Sequence, residues 1–132
     1  MSEKDNLRIV QQAYEAFGKG DLPGLLALLT DDIEWHHPEV ENVPWAVSCR
    51  GKDAVSGFFA AIAKAADIER FEPLHFIAQG DRVIVLGSEA VRAKSTKRAY
   101  STEWAHSFTL RDGKISIFRE YTDTNRIAAA FR

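Results

Sequence analysis

The stretch Trp104–Thr124, WAHSFTLRDGKISIFREYTDT, decides how the second half of this chain reads. Apolar and polar residues alternate from Thr102 to Leu110, Asp112-Gly113 supplies a turn, and Ile115 to Asp123 returns, which is the pattern of a β-hairpin. By period-two alternation Thr102, Trp104, His106, Phe108 and Leu110 share one face. Trp104 and Phe108 make that face the inward one, and they carry His106 with them. Glu120 lies well inside the returning strand. An ionisable group taken from water is costly unless it is paired, so this hairpin lines something other than a plain core, or its charged groups satisfy each other. The register depends on the turn. A two-residue Asp112-Gly113 turn puts Arg119 and Tyr121 on the His106 face, whereas a three-residue Arg111-Asp112-Gly113 loop, with Gly113 at positive φ, puts Phe118 and Glu120 there.

Outward from the hairpin, Ile68–Gln79 and Val83–Ala93 read as two more strands joined by Gly80-Asp81. On β-parity Glu89 falls with Val83, Val85, Gly87 and Val91, but the opposite parity, with Ile84, Leu86 and Ala90, is as apolar. The first half is helical. Leu7, Val10, Tyr14 and Phe17 recur at helical spacing. Gly18 and Gly20 stop that helix, and Asp21 caps a second whose LLALL core spans Leu25–Leu29. A strand over Ile33–His37 is closed by Pro38, and Glu39–Arg50 reads as a loop carrying Trp45 beside Pro44. Gly51-Lys52-Asp53 opens a third helix to about Ala66, and Thr124–Phe131 forms a short closing helix capped by Asp123 or Thr124. Helix, helix, strand, helix and a four-strand meander make an α+β fold, with helices on one face of a mostly antiparallel sheet.

The 132 residues, 45% apolar and 27% charged, suit one globular domain over 1–132, long enough to bury about two-thirds of its unfolded surface. A net charge of −2 gives no electrostatic footprint for nucleic acid or an anionic membrane. Lys94 and Lys97-Arg98 read as a solvated hairpin tip. No apolar run approaches the ~20 residues of a membrane span, and MSEKDNLRIV lacks the apolar segment of a secretory signal. The single cysteine, Cys49, permits no intrachain disulfide and fits a cytoplasmic location.

Taken in order, GKGDLPGLLALLTDDIEW, CRGKDAV and RDGKI…REYTDT resemble the NTF2-like superfamily, and within it the SnoaL-like and ketosteroid-isomerase-like branch, over about Leu7–Phe131. The resemblance implies a curved sheet wrapped around the N-terminal helices into a cone with an apolar cavity, and a homodimer through the outer sheet face. It also favours the register that turns Glu120 inward and Tyr121 outward. The steroid isomerases of this fold use an acidic base on the first strand and tyrosine and acid donors that hold an enolate. Here the base position falls on Trp35, the first-helix tyrosine near Ala13, one place from Tyr14, a further pocket tyrosine on Phe59, and the donor acid on His106. A steroid Δ-isomerase with the usual base and tyrosines is therefore not expected.

Another constellation remains. His106 and Glu120 on adjacent strands form a candidate acid–base pair, because a carboxylate fixes an imidazole's tautomer and raises its basicity. His37, on the parity of Ile33 and Trp35, joins them from the pocket mouth. Tyr14, Trp35, Trp45, Phe59, Glu89, Trp104 and Phe118 are the candidate ligand-binding residues, Trp45 as a lid. No ligand set at zinc spacing, glycine-rich phosphate loop or nucleophile elbow is present, so neither metal nor cofactor is expected. The resulting expectation is a cofactor-independent isomerase- or cyclase-like enzyme that moves a proton next to a carbonyl in an apolar small molecule. A non-catalytic binder of a hydrophobic molecule and a dimerisation module are the alternatives.

Overall fold

The computed structural model describes residues 2–132. Helix α1 (Glu3–Gly18) begins with a reciprocal cap in which the Ser2 hydroxyl accepts from the Asp5 amide and Asp5 reaches back to Ser2. Its buried stripe includes Val10 and Ala13. Helix α2 (Leu22–Ala27) is capped by Asp21, and the chain is already extended at Leu29, where β1 (Leu29–His36) begins. The LLALL run is therefore split between helix and strand, because Leu25 and Leu29 are needed on two different walls of one core. A two-residue strand, β2 (Cys49–Arg50), pairs with β1 inside the segment expected to be a loop. Helix α3 (Lys52–Ala65) runs directly into β3 (Ala66–Gln79), with Ala66 already extended. Strands β4 (Arg82–Ala93), β5 (Ala99–Arg111) and β6 (Lys114–Thr122) complete the meander, and α4 (Thr124–Ala130) is capped by Asp123.

The strands form one six-stranded sheet in the order β2-β1-β6-β5-β4-β3, antiparallel except where β1 lies parallel to β6. The sheet is curved and open, with the N-terminal helices against its inner face. One core cluster gathers Val10, Leu25, Leu29, Ile33, Trp35, Val55, Val83, Val85, Phe108 and Phe118. A second, smaller cluster gathers Trp45, Ala66, Val91, Tyr100, Ile127 and Ala130 beneath α4.

The β5–β6 hairpin combines features of both sequence alternatives. Its loop is the two-residue one: Arg111 pairs with Lys114, and Asp112 and Gly113 take φ of 50° and 80°, the pair of positive values a type I′ turn needs. Alone, that loop would turn Arg119 and Tyr121 inward. A bulge follows, however, because Leu110 pairs with Ile115 while Thr109 pairs with Ile117. Ser116 is the extra residue, and its hydroxyl donates to the Thr109 carbonyl at 3.1 Å. The bulge shifts the register by one, so Phe118 opposes Phe108 and Glu120 opposes His106. The expected three-residue loop is corrected, while the inward Glu120 that it was invoked to explain is present.

Gly87 sits mid-strand on β4 under the Trp104 ring, and a Cβ there would overlap both that ring and the Glu72 carbonyl. Gly87→Ala is accordingly expected to destabilise the fold by roughly 1–3 kcal/mol, with denaturant unfolding as the readout. A stability equal to wild type would show that Trp104 is not held over the strand.

Candidate active site

Tyr14 on α1, His37 just beyond β1, His106 on β5 and Glu120 on β6 form one hydrogen-bonded chain. The Tyr14 hydroxyl lies 2.7 Å from His106 Nδ1, and His106 Nε2 lies 3.0 Å from Glu120 Oε1. Glu120 Oε2 is 3.1 Å from His37 Nε2, and His37 Nδ1 is 2.7 Å from the Pro38 carbonyl oxygen. The end of the chain orients the rest. A carbonyl oxygen only accepts, so His37 Nδ1 carries a hydrogen. His37 Nε2 then faces a carboxylate oxygen, and the contact is favourable only if a proton lies between them.

Electrostatics place that proton. For Glu120, burial alone would raise the pKa, but the hydrogen bonds from His106 and His37 and their charges outweigh it and hold the carboxyl at about 2. For His37, burial works against the charged form, and the hydrogen bond and charge of Glu120 with the Pro38 carbonyl overcome it, so its pKa is raised. The pair is an imidazolium–carboxylate ion pair. His106 goes the other way: burial outweighs the help of Glu120, and its pKa is lowered. It is therefore neutral, donating from Nε2 to Glu120 and accepting the Tyr14 hydroxyl proton at Nδ1. Burial, then the Glu120 charge, raises Tyr14 and keeps it protonated. Stacking fixes the His106 ring, with Trp104 parallel at 3.8 Å and Phe118 edge-on at 4.8 Å.

This chain borders an apolar cavity of about 110 Å³ between the sheet, α1 and α3. Of the residues singled out in the sequence, Tyr14, Trp35, His37, Trp45, Phe59, Glu89, His106, Phe118 and Glu120 all line it. Trp35 stacks on Phe118 at 3.9 Å, and Trp45 packs edge-on to His37 and Phe58. Trp104 is the exception. It lies behind His106, against Gly87, and does not reach the cavity, so the ligand contact expected of it is replaced by a supporting role. Two further expectations change. His37 is buried rather than placed at an open mouth, its side chain only 3% exposed. His106 has both ring nitrogens engaged within the protein, so it has no free donor or acceptor for a ligand.

Parity is settled for Glu89, which faces inward. Burial first, then the Glu120 charge, raises its carboxyl to about 7, with His37 opposing. Sequence reading missed Tyr100, which lines the cavity because β5 starts at Ala99 and extends the face of Thr102 and Trp104 by one step. It counted Tyr14 among the ligand-binding candidates but did not foresee its hydrogen bond to His106. His36 points away, to Ser48 and Glu34. Among the described residues no group of three His, Cys, Asp or Glu side chains is placed to hold a metal ion, and no helix is long and apolar enough to cross a membrane.

Residues 10–118 match the SnoaL-like domain family. The chain belongs to that family. Among solved structures, an NTF2-like protein from Burkholderia xenovorans LB400 is 38% identical, with 100% of this chain and 99% of that one covered and a TM-score of 0.90. An NTF2-like protein of unknown function from Burkholderia pseudomallei K96243 is 30% identical, with 99% and 98% covered and a TM-score of 0.89. TerC, co-crystallised with polyporic acid, is 28% identical, with 96% and 98% covered and a TM-score of 0.87. These likenesses accord with the NTF2-like cone, and the SnoaL-like match extends from α1 to the middle of β6.

Proposed function

We propose that this SnoaL-like protein is a cofactor-independent enzyme of the isomerase or cyclase type, moving a proton next to a carbonyl in a small apolar molecule. The carrying observation is the ion pair of Glu120 and His37 set in the wall of an apolar cavity. A fixed charge beside low-dielectric walls orients a polar ligand more strongly than it could in water and stabilises charge that develops in a reaction. Aromatic walls from Trp35, Phe59, Phe118 and Trp45 suit a flat, ring-containing ligand. The co-crystal of TerC with polyporic acid supports an aromatic carbonyl compound as the class.

Thermal shift with polyporic acid, aromatic ketones and steroids tests this, wild type against Glu120→Gln. A ligand at a hundred times its dissociation constant stabilises the wild type by about 2.7 kcal/mol, and the variant is expected to lose most of that response. A panel that leaves the wild type unmoved would argue against a ligand pocket. A non-catalytic binder is the second reading, favoured by the saturation of both His106 nitrogens. It is recognised by binding without turnover.

The protein is further proposed to act as a cytoplasmic homodimer through the outer sheet face. There Tyr121, Ala105, Leu86 and His75 form one row across four strands, and Arg119, Ser107, Ile84 and Ile77 the next. Tyr121, Ile77 and Leu86 are 58%, 53% and 41% exposed. The double variant Leu86→Glu/Tyr121→Glu is expected to sediment as a monomer where the wild type sediments as a dimer. A wild type that is itself monomeric would refute the arrangement.

A further inference from the structure

The His–Glu–His–Tyr chain is saturated: both nitrogens of each histidine and both oxygens of Glu120 are engaged within the protein. Other polar groups of the cavity wall are not: the Trp35 and Trp45 indole nitrogens are donors only, and two oxygen-bearing side chains stand beside them. Glu89 on β4 and Tyr100 on β5 both line the cavity, and among the described residues neither side chain has a hydrogen-bonding partner contributing to its state. The register brings them together. Glu89 opposes Thr102 and Val91 opposes Tyr100, so the two sit diagonally on the same face of neighbouring strands, within reach for long side chains. An unpaired carboxyl and an unpaired phenol in an apolar cavity are each costly to bury. Their retention there is what a site that pairs them with a substrate requires.

We propose that Glu89 is the general base and acid of this pocket and Tyr100 the donor that holds the substrate's oxyanion, the substrate being a small carbonyl compound with an acidic C–H beside its carbonyl. This rests on the proton-transfer reading above. The Glu89 carboxylate takes the proton. The C–H bonding pair becomes the enolate C=C bond, and the carbonyl π pair moves onto oxygen, which accepts from the Tyr100 hydroxyl. Glu89 then returns the proton to a carbon of the enolate, and the carbonyl re-forms. In the net balance one C–H bond is broken and one formed, and no oxidant or second reactant is used.

The saturated chain then has a defined part. The charged and titratable groups facing Glu89 are Glu120 from β6, His37 from beyond β1 and Tyr100 from β5, while its β3 neighbour is Phe71. Burial and the ionised Glu120 bring Glu89 to about 7, where both its forms are populated near neutral pH. Two carboxyls driven apart by their surroundings take different roles. Glu120 stays ionised as a fixed charge, and Glu89 exchanges its proton. Tyr100, raised by burial and by both carboxylates, remains a hydrogen-bond donor.

Exchange of the α-protons of β-tetralone in heavy water, followed by NMR, tests the assignment. The wild type is expected to accelerate exchange with a rate that rises through an apparent pKa near 7. Glu89→Gln should lower kcat by roughly a hundredfold or more, and the pH dependence should vanish with it. Tyr100→Phe should lower kcat by about a hundredfold with KM little changed, because the donor acts on charge formed in the transition state. If Glu89→Gln keeps the wild-type rate and profile while Glu120→Gln loses them, this assignment is wrong and the proton-transfer reading survives. If the wild type does not accelerate exchange, both are overturned.

Discussion

Replacing Glu120 by Ala should lower the unfolding free energy by roughly 3–5 kcal/mol, the largest effect expected of any substitution in the site. Two buried imidazoles share this carboxylate. Without it the His37 imidazolium has no counter-charge and the His106 Nε2–H no acceptor, and breaking a buried pair by deleting one partner leaves the other's desolvation uncompensated. His37 would respond by giving up its proton, which moderates the loss. The pairing also joins β1's end, β5 and β6, so the loss should be accompanied by lower protection of their amides in hydrogen exchange. Glu120→Gln, which keeps one acceptor and the side chain's shape, should cost less. Equilibrium denaturation at pH 6 measures both. An Ala variant within 1 kcal/mol of wild type would mean that the charges are screened by water and that the chain contributes little to holding the fold.

The second large effect is on pH dependence and changes sign across the acidic range. Glu120 has a depressed pKa, so its contribution is present above the unfolded value of 4.5 and is lost as pH falls towards about 2. Glu89 is raised from 4.5 to about 7, so its contribution is present below 4.5 and is lost as pH rises to about 7. His37 is raised above 6.5, so its share is also lost as pH rises through that raised value. His106, lowered by burial, adds a share present above 6.5 and lost as pH falls, so stability should fall on both the acidic and the alkaline side of its maximum. Glu89→Gln removes one alkaline loss. The difference between the variant and wild type should move in the variant's favour by about 3 kcal/mol between pH 4.5 and pH 8. Urea titrations at pH 4.5 and pH 8 decide the matter. A pH-independent difference would place Glu89 in contact with water. The expected outcome also protects the exchange experiment, since a variant that is more stable and less active has not failed by misfolding.

The order of elements was legible because each rests on a local signal. Helical spacing marked α1 and α3, Asp21 and Asp123 marked caps, alternation marked β5, and the Gly80-Asp81 and Asp112-Gly113 turns marked β4 and β6. The inward face of β5 followed from Trp104 and Phe108 alone, and it carried His106 to the cavity wall. Legibility ended where a residue's role depends on what another strand places opposite it. Alternation gave no preference for Glu89, since both faces of β4 are apolar, one lining the cavity and the other forming the outer face. Trp104 has the parity of a lining residue but is screened from the cavity, because His106 stands in front of it. The Ser116 bulge has no sequence mark that separates it from a regular strand residue.

The sequence by itself determined the SnoaL-like α+β fold and the inward side of the strand bearing His106, because helix caps, turns and β-alternation are properties of neighbours along the chain. The tertiary structure alone decided which groups are free to act. It closed His106 and His37 around one carboxylate, drew Tyr14 from packing into hydrogen bonding, and left Glu89 and Tyr100 unpaired in the cavity wall. Those outcomes depend on burial and on charges from strands distant in sequence, and a side chain's protonation is set by what surrounds it in space.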